Sequence, residues 1–222
     1  MKKKYPQTSL EEKLALIDDI GFRNVIKNIP SPINVPGDRY YNWIQNELIE
    51  RYLVIREFGI EKGEKILEIG CGSQALATNT LTQFVGKEGT IVAVDRARWQ
   101  QFEEMTHFTK FHQRIIPLKL DAIQLPFPFR TFDKAVIVHG IRSLGKNTQI
   151  IAILKELLRV ANRVIISESL PIAHNRAQQA HLDMYNLREP VFELAWGKKD
   201  DFHYRNITTL GNLMKKAGGK KI

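Results

Sequence analysis

The run Lys65-Ile-Leu-Glu-Ile-Gly-Cys-Gly-Ser73 sets Glu68 two residues before the first of two glycines, Gly70 and Gly72. Cys71 lies between the glycines, and Gln74 and Ala75 follow them. Glycines at a strand-to-helix turn let a ligand approach the backbone closely, and the next helix N-terminus offers amide donors. Alone, this G-x-G-x-x-A string also suits a dinucleotide. Three acids separate the readings. Glu68 is unhelpful to a pyrophosphate, but its carboxylate can orient the loop and, through water, meet a ligand ammonium. Asp95, followed by Arg96, closes a second apolar run, where a carboxylate can accept both hydroxyls of a ribose; a dinucleotide enzyme would share that feature. Asp121 closes a third run, where it can accept from an adenine amino group while the Ala122 amide donates to a ring nitrogen. One such acid reads equally well as a turn carboxylate. Three at successive strand ends, in this order, point to an adenosine-containing ligand other than a dinucleotide.

Further candidates lie beyond these. His139, in His139-Gly-Ile-Arg142, follows a fourth apolar run, where α/β sites assemble. It reads as a general base, a ligand contact, or a hydrogen-bonded rim histidine. His181, Met184, Tyr185 and Arg188 are spaced i, i+3, i+4 and i+7, so they share a helix face. His181 and Tyr185 are candidates for handling a substrate proton; a partly buried amphipathic edge is the plainer reading. Tyr40, Tyr41 and Trp43 would suit a lid over a cation or plain core packing.

These groups need a scaffold that brings strand ends to one edge. Continuous apolar runs at Lys65–Ile69, Thr90–Val94, Ile115–Leu120, Ala135–Val138 and Arg163–Ser167 suit a parallel sheet covered on both faces. Helical spacing at about 75–85, 98–112 and 147–161 alternates with them, and 174–188 and 206–217 follow. The rhythm predicts a Rossmann-like, doubly wound α/β fold with right-handed crossovers. Upstream, residues 9–20 read as one helix with a Ser9/Glu12 capping box, ended by Gly21. Pro30, Pro32, Pro36 and Gly37 then block regular structure. Residues 39–58 return to helical spacing, with Tyr40, Trp43, Ile44, Leu48, Tyr52 and Ile55 on one face. We therefore expect an N-terminal helical extension over 1–60 and a ligand-binding domain over 61–222. The chain stops at Gly218-Gly-Lys-Lys-Ile222, where a seven-stranded sheet would begin its sixth strand; the expectation is an incomplete sheet or a truncated chain.

Composition narrows the classes. With 222 residues, 43% hydrophobic and 26% charged, the chain is long enough for one domain with a substantial core. No apolar run reaches the roughly 18 residues of a membrane span, and no signal peptide follows the opening lysines, so we expect a cytoplasmic protein. The single cysteine excludes a disulfide framework and a multi-cysteine zinc site, leaving no metal site expected. The net charge of +9 sits at the ends, in Lys2–Lys4 and in seven Lys/Arg against two Asp over 196–222. The nearly neutral body favours solvated termini over a nucleic-acid face.

The order E-x-G-x-G, then Val94-Asp95, then D-A-x-x-L-P-F with Phe132-Asp133 before strand four resembles small-molecule class I S-adenosylmethionine-dependent methyltransferases. The resemblance is strongest to the group that includes ubiquinone/menaquinone C-methyltransferases. It covers roughly residues 60–170, with a weaker match in the Ala-Gly-Gly near the end. It implies that S-adenosylmethionine lies across the carboxyl ends of strands one to four and leaves as S-adenosylhomocysteine. The turn residues Glu68, Gly70, Cys71, Gly72 and Gln74 would hold it, together with Asp95 and Arg96, Asp121 and Ala122, and His139 at the rim. Gln74 departs from the family, which usually has a third glycine there; its side chain would crowd the methionine moiety or replace a water. The expected reaction is methyl transfer to a small organic acceptor at C, O or N, with His139, His181 and Tyr185 as candidate catalytic residues. A second reading is tRNA or rRNA methylation, favoured by the basic ends. The neutral body disfavours it, as does the lack of the Asn/Asp-Pro-Pro-aromatic tetrapeptide common in base methylation. A third is a non-catalytic S-adenosylmethionine-binding module, suggested by Gln74 and the abrupt C-terminus. An NAD-dependent oxidoreductase comes last, because Glu68 and the Asp121 segment have no role in it. A homodimer is compatible with all of these.

Overall fold

The computed structural model describes residues 9–28, 38–97, 102, 106, 107, 112–169, 173, 176, 179, 183, 194 and 205–220, with the side chains of 38–43 excepted. They form two compact units, Met1–Lys119 and Leu120–Ile222.

In the first unit, helices α1 (Leu10–Leu14), α2 (Ile20–Lys27) and α3 (Asp38–Arg56) precede strand β1 (Lys65–Ile69). Helix α4 (Leu76–Val85) leads to β2 (Thr90–Asp95), and a 3-10 turn at His112–Arg114 opens β3 (Ile115–Lys119). Ile66, Leu67 and Ile69 of β1 and Ile91 to Val94 of β2 are buried, as continuous apolar strands covered on both faces should be. Helix α3 buries Ile44, Leu48, Tyr52 and Ile55, the predicted helical spacing. The Tyr52 ring lies 5.6 Å from Phe22 of α2 and 5.1 Å from Phe84 of α4, so three helices share one aromatic contact.

The predicted helix over 9–20 is the short helix α1, a turn, and the first residue of α2. The capping box is present, with the Glu12 amide donating to Ser9 Oγ and the Ser9 amide to Glu12 Oε2. Helix α1 nevertheless ends after Leu14, because Asp19 starts a new helix by accepting from the Phe22 amide at 2.9 Å. Gly21 therefore lies inside α2 instead of ending its predecessor. Leu14 and Ile17 are buried on one side of the bend, and Phe22 and Ile26 on the other.

The second unit contains β4 (Phe132–Val138), a 3-10 turn at Ile141–Ser143, α5 (Asn147–Val160), β5 (Ala161–Ser167) and α6 (Ile207–Ala217). Strand β4 starts three residues before its predicted start and β5 two before, because sheet pairing extends past the apolar stretch. Phe132 pairs with Ala161 and Val138 with Ser167. Helix α5 buries Ile150, Ile153, Leu154, Leu157 and Val160, and α6 packs on it. Strands predicted at Lys65–Ile69, Thr90–Val94 and Ile115–Leu120 agree to within a residue.

The strands form one five-stranded sheet in the order β3-β2-β1-β4-β5. The pairs β1–β2, β2–β3 and β4–β5 are parallel. This is the Rossmann-like, doubly wound arrangement read from the sequence, with helices between strands. Most of the expected helices at 98–112 and 174–188 fall outside the described residues. Among the described residues, no helix is long and apolar enough to cross a membrane.

Candidate functional site

Parallel strands carry their loops at the carboxyl edge, and the expected site residues of the first unit gather there. The Gly70 amide donates to Val94 O at 2.8 Å, continuing the β1–β2 ladder one step past β1. The chain then turns through Gly70 at φ +75 and Gly72 at φ +64. A side chain at either would meet nothing within 4 Å, so both glycines face open space. They are required for backbone conformation, since an L residue there is strained. Gln74 is half-buried, and Ala75 is buried at φ +48 as the N-cap of α4. No side chain caps that helix, so its first amides are left to other acceptors.

Asp95 ends β2 and holds this turn. Its Oδ2 accepts from the Gly72 amide at 3.1 Å and its Oδ1 from the Ala97 amide at 3.0 Å. Each oxygen keeps a second lone pair, so the carboxylate that shapes the loop can still accept from a ligand. Arg96, next in the chain, is exposed.

Glu68 lies beneath the loop, 2% exposed. The Thr78 hydroxyl of α4 donates to its Oε2 at 2.6 Å. Burial raises its carboxyl to about 7; the Asp95 charge adds to this, while the Thr78 bond and the Arg51 charge work against it. Arg51 itself is buried on α3 and paired with Glu47 and Glu50. Burial also pushes the Cys71 thiol up, with the Glu68 and Asp95 charges adding. These causes favour the protonated thiol at Cys71.

The remaining expected residues belong to the second unit. Asp121, exposed just past β3, accepts from the Ile123 amide at 3.0 Å through Oδ1, and Ala122 is buried. The Leu125-Pro-Phe-Pro-Phe loop that follows is clamped by α5. Glu156 Oε2 accepts from the Leu125 amide at 3.0 Å, while Arg159 donates to Leu125 O at 2.9 Å and Phe127 O at 2.7 Å.

His139 is the first residue past β4. Its amide donates to Ser167 O at 2.7 Å, and its φ of +53 is left-handed. A non-glycine residue there costs on the order of 1 kcal/mol. The ring Nδ1 lies 3.1 Å from Ser169 Oγ and 4.0 Å from Glu168 Oε1. Arg142 Nη1 donates to Glu168 Oε1 at 3.0 Å. Buried Arg205 braces the same loop by donating to Ile141 O, Gly145 O and Asn147 Oδ1. Sequence reasoning missed Glu168, although it follows β5 immediately, as Asp95 and Asp121 close or follow their strands. Arg205 and Ser169 carry no such signal.

His181, Met184, Tyr185 and Arg188 lie outside the described residues. So do the side chains of Tyr40, Tyr41 and Trp43, whose backbone belongs to α3.

A family model described as the ubiE/COQ5 methyltransferase family matches residues 43–221. A demethylmenaquinone methyltransferase of Staphylococcus saprophyticus is 27% identical over 202 residues, 85% of this chain and 86% of its own length. The ubiquinone/menaquinone biosynthesis C-methyltransferase UbiE of Idiomarina loihiensis is 24% identical over 229 residues, covering 98% of this chain and 88% of its own. Among solved structures, a cyclopropane-fatty-acyl-phospholipid synthase-like protein from Lactobacillus casei superposes with TM-score 0.68 at 19% identity, over 81% of this chain and 70% of its own. A SAM dependent methyltransferase from Aquifex aeolicus does so with TM-score 0.58 at 19% identity, over 88% and 87%. At these identities the solved structures speak for the fold alone.

Proposed function

The chain belongs to the ubiE/COQ5 methyltransferase family, and from that premise we propose that its methyl acceptor is the ring carbon of a demethylated quinol. It is an S-adenosylmethionine-dependent methyltransferase acting on a small organic molecule. The family match over residues 43–221 carries this reading. The names of the relatives, demethylmenaquinone methyltransferase and ubiquinone/menaquinone biosynthesis C-methyltransferase, support the quinol. The RNA reading and the non-catalytic reading gain no support from them. Within this proposal, residues 1–60 are the helical extension and 61–222 the catalytic domain.

The residues present fit the cofactor. Gly70 and Gly72 leave open space at a left-handed turn, the α4 N-terminus has no side-chain cap, and Asp95 keeps free lone pairs beside the turn. When bound, S-adenosylmethionine supplies a methyl group on a sulfonium sulfur, already activated for displacement. Asp95 accepts from the ribose while holding Gly72, and Arg96 flanks it. Asp121 and the Ala122 amide read the adenine. Gly70, Cys71, Gly72 and Gln74 line the methionine portion through their backbone, with Glu68 beneath providing a carboxyl that ionises as an ammonium approaches. The chain's remaining task is to orient the ring carbon in line and exclude water. A base is needed because aromatic C-methylation loses a ring proton and is accelerated by ionising the ring hydroxyl. His139 is the described candidate, and His181 and Tyr185 complete the proposed set.

Radiolabelled methyl transfer from S-adenosylmethionine, assayed in parallel on reduced demethylated quinones and total RNA, tests this function. Label in the lipid-extractable product is the expected result. Label confined to RNA overturns the acceptor, and calorimetric binding of NAD but not S-adenosylhomocysteine would overturn the cofactor site.

A further inference from the structure

The carboxyl ends of β4 and β5 hold a cluster that binding of the cofactor does not explain. Glu168 is central to it, its side chain only 1% exposed. Its Oε1 accepts from Arg142 Nη1 at 3.0 Å and from the Ser169 amide at 2.9 Å, and its Oε2 lies 3.4 Å from the Arg142 amide. A buried carboxylate held by so many donors is fixed in place. His139 is fixed as well, by the bond from its amide to Ser167 O and by its left-handed backbone. The ring Nε2 is buried. The other nitrogen, Nδ1, meets the Ser169 hydroxyl at 3.1 Å, with Glu168 Oε1 at 4.0 Å. Ser169 itself is half-buried. Its hydroxyl, one donor with two acceptor lone pairs, can give a proton to Nδ1 and receive another on the same oxygen.

We infer that Ser169 and His139 form a proton relay, with Ser169 Oγ the atom that meets the acceptor's hydroxyl. This rests on the reading of the chain as a methyltransferase acting on a quinol. The ring hydroxyl passes its proton to Ser169 Oγ while the Ser169 proton passes to His139 Nδ1. The ring oxygen keeps the electron pair of the broken O–H bond, and that density reaches the carbon that takes the methyl group. The methyl–sulfur bond breaks with its electron pair left on sulfur. The methylated carbon then gives its own proton to solvent while the ring oxygen regains one, so one proton is released overall. His139 becomes an imidazolium with its new N–H beside the Glu168 carboxylate, which compensates the charge. The imidazolium later returns its proton to solvent, with no oxidation or reduction at any step. Arg142 and Glu168 are positioning residues here, since they act through His139 and Ser169.

The relay requires His139 to rest with its proton on Nε2 and a bare Nδ1. Nitrogen chemical shifts of the full chain labelled at the histidine imidazoles read this directly, with a His139→Gln variant assigning the signal. The expected wild-type signature is the Nε2–H tautomer, altered in Ser169→Ala and retained in Ser169→Thr. A resting Nδ1–H tautomer overturns the relay. In turnover, Ser169→Ala should lower kcat by about 100-fold with the KM for S-adenosylmethionine unchanged, and Ser169→Thr should recover most of it. An unchanged kcat in Ser169→Ala overturns the inference. Absence of S-adenosylmethionine binding, or of transfer to any quinol by the wild type, refutes the functional reading instead. The tautomer measurement decides the relay's direction in that case too.

Discussion

Glu68 shows how one buried side chain links stability to binding. Its carboxyl, raised to about 7 by burial, holds its proton more tightly in the folded chain than in the unfolded one, where a glutamate titrates near 4.3. The folded state therefore binds more protons between these values, and stability falls as pH rises through that window. The loss amounts to about 4 kcal/mol in all, complete roughly one unit above pH 7. Glu68→Gln, which removes the titration, should raise the melting temperature of the ligand-free protein at pH 8 and leave it nearly unchanged at pH 4; equal shifts at both would contradict this. Under the proposed function, an ammonium beside Glu68 favours the ionised form, so binding expels a proton below pH 7. S-adenosylmethionine affinity should accordingly weaken as pH falls from 7.5 to 6, and calorimetric enthalpies should vary with the buffer. Asp95 supplies a second test at this scale. Asp95→Ala should weaken cofactor affinity by about 1–3 kcal/mol, through lost hydrogen bonds to a charged acceptor and a loosened Gly72. Unchanged affinity in a folded variant would mean that the ribose is held elsewhere. The acids at strand ends were legible because a charge that interrupts an apolar run needs a reason. The partner of Glu68, Thr78, lies 10 residues away and carries no mark of its own, and nothing in the sequence ties the Gly72 amide to Asp95, 23 residues away.

Elements bring such partners together, and the loops they pin are as specific as the strands. Helix α5 clamps the loop after β3 through Glu156 and Arg159 at its last turn, so the Leu-Pro-Phe-Pro motif is held by a helix over thirty residues downstream. Arg205, just ahead of α6, does the same for the turn after β4 by donating to Ile141 O and Gly145 O. Arg205 is 4% exposed, so its loss removes a buried donor from the Gly145 carbonyl and one of the two donors to Ile141 O. Arg205→Ala should destabilise the fold by about 2–4 kcal/mol, visible as a shifted denaturant midpoint with an unchanged slope. It should also lower kcat more than Arg205→Lys, because the turn carries His139. A midpoint within about 0.5 kcal/mol of wild type would show that the turn holds without it. Helix periodicity foretold α3, α5 and α6 well. It failed over residues 9–20, where the Asp19 cap interrupts a pattern that spacing alone reads as continuous.

At the scale of the whole molecule, ligand and fold share one equilibrium. A cofactor that binds only the folded chain stabilises it by RT ln(1 + [L]/Kd), about 2.7 kcal/mol at a hundredfold excess over Kd. S-adenosylhomocysteine should therefore raise the melting temperature in a concentration-dependent way while NAD leaves it unchanged; a shift with NAD alone would contradict the family's cofactor. The net charge of +9 sets a further expectation: methyl transfer to the quinol should vary little with salt between 50 and 200 mM, whereas RNA binding through the basic ends would be lost steeply. The sequence by itself determined the class of fold, because continuous apolar runs of strand length between helical spacings can bury themselves only as a parallel sheet with helices between strands. Glu68, Gly70, Gly72, Asp95 and Asp121 at successive turns also carried the resemblance to the S-adenosylmethionine-dependent methyltransferases. Only the tertiary structure decided what those groups touch. Pairing in the sheet sets β4 beside β5, and that pairing alone brings His139 to Ser169 and Glu168. The difference is physical: periodicity records which face of each element is apolar, whereas a hydrogen bond between residues 30 apart depends on strand order and register, which local spacing does not encode.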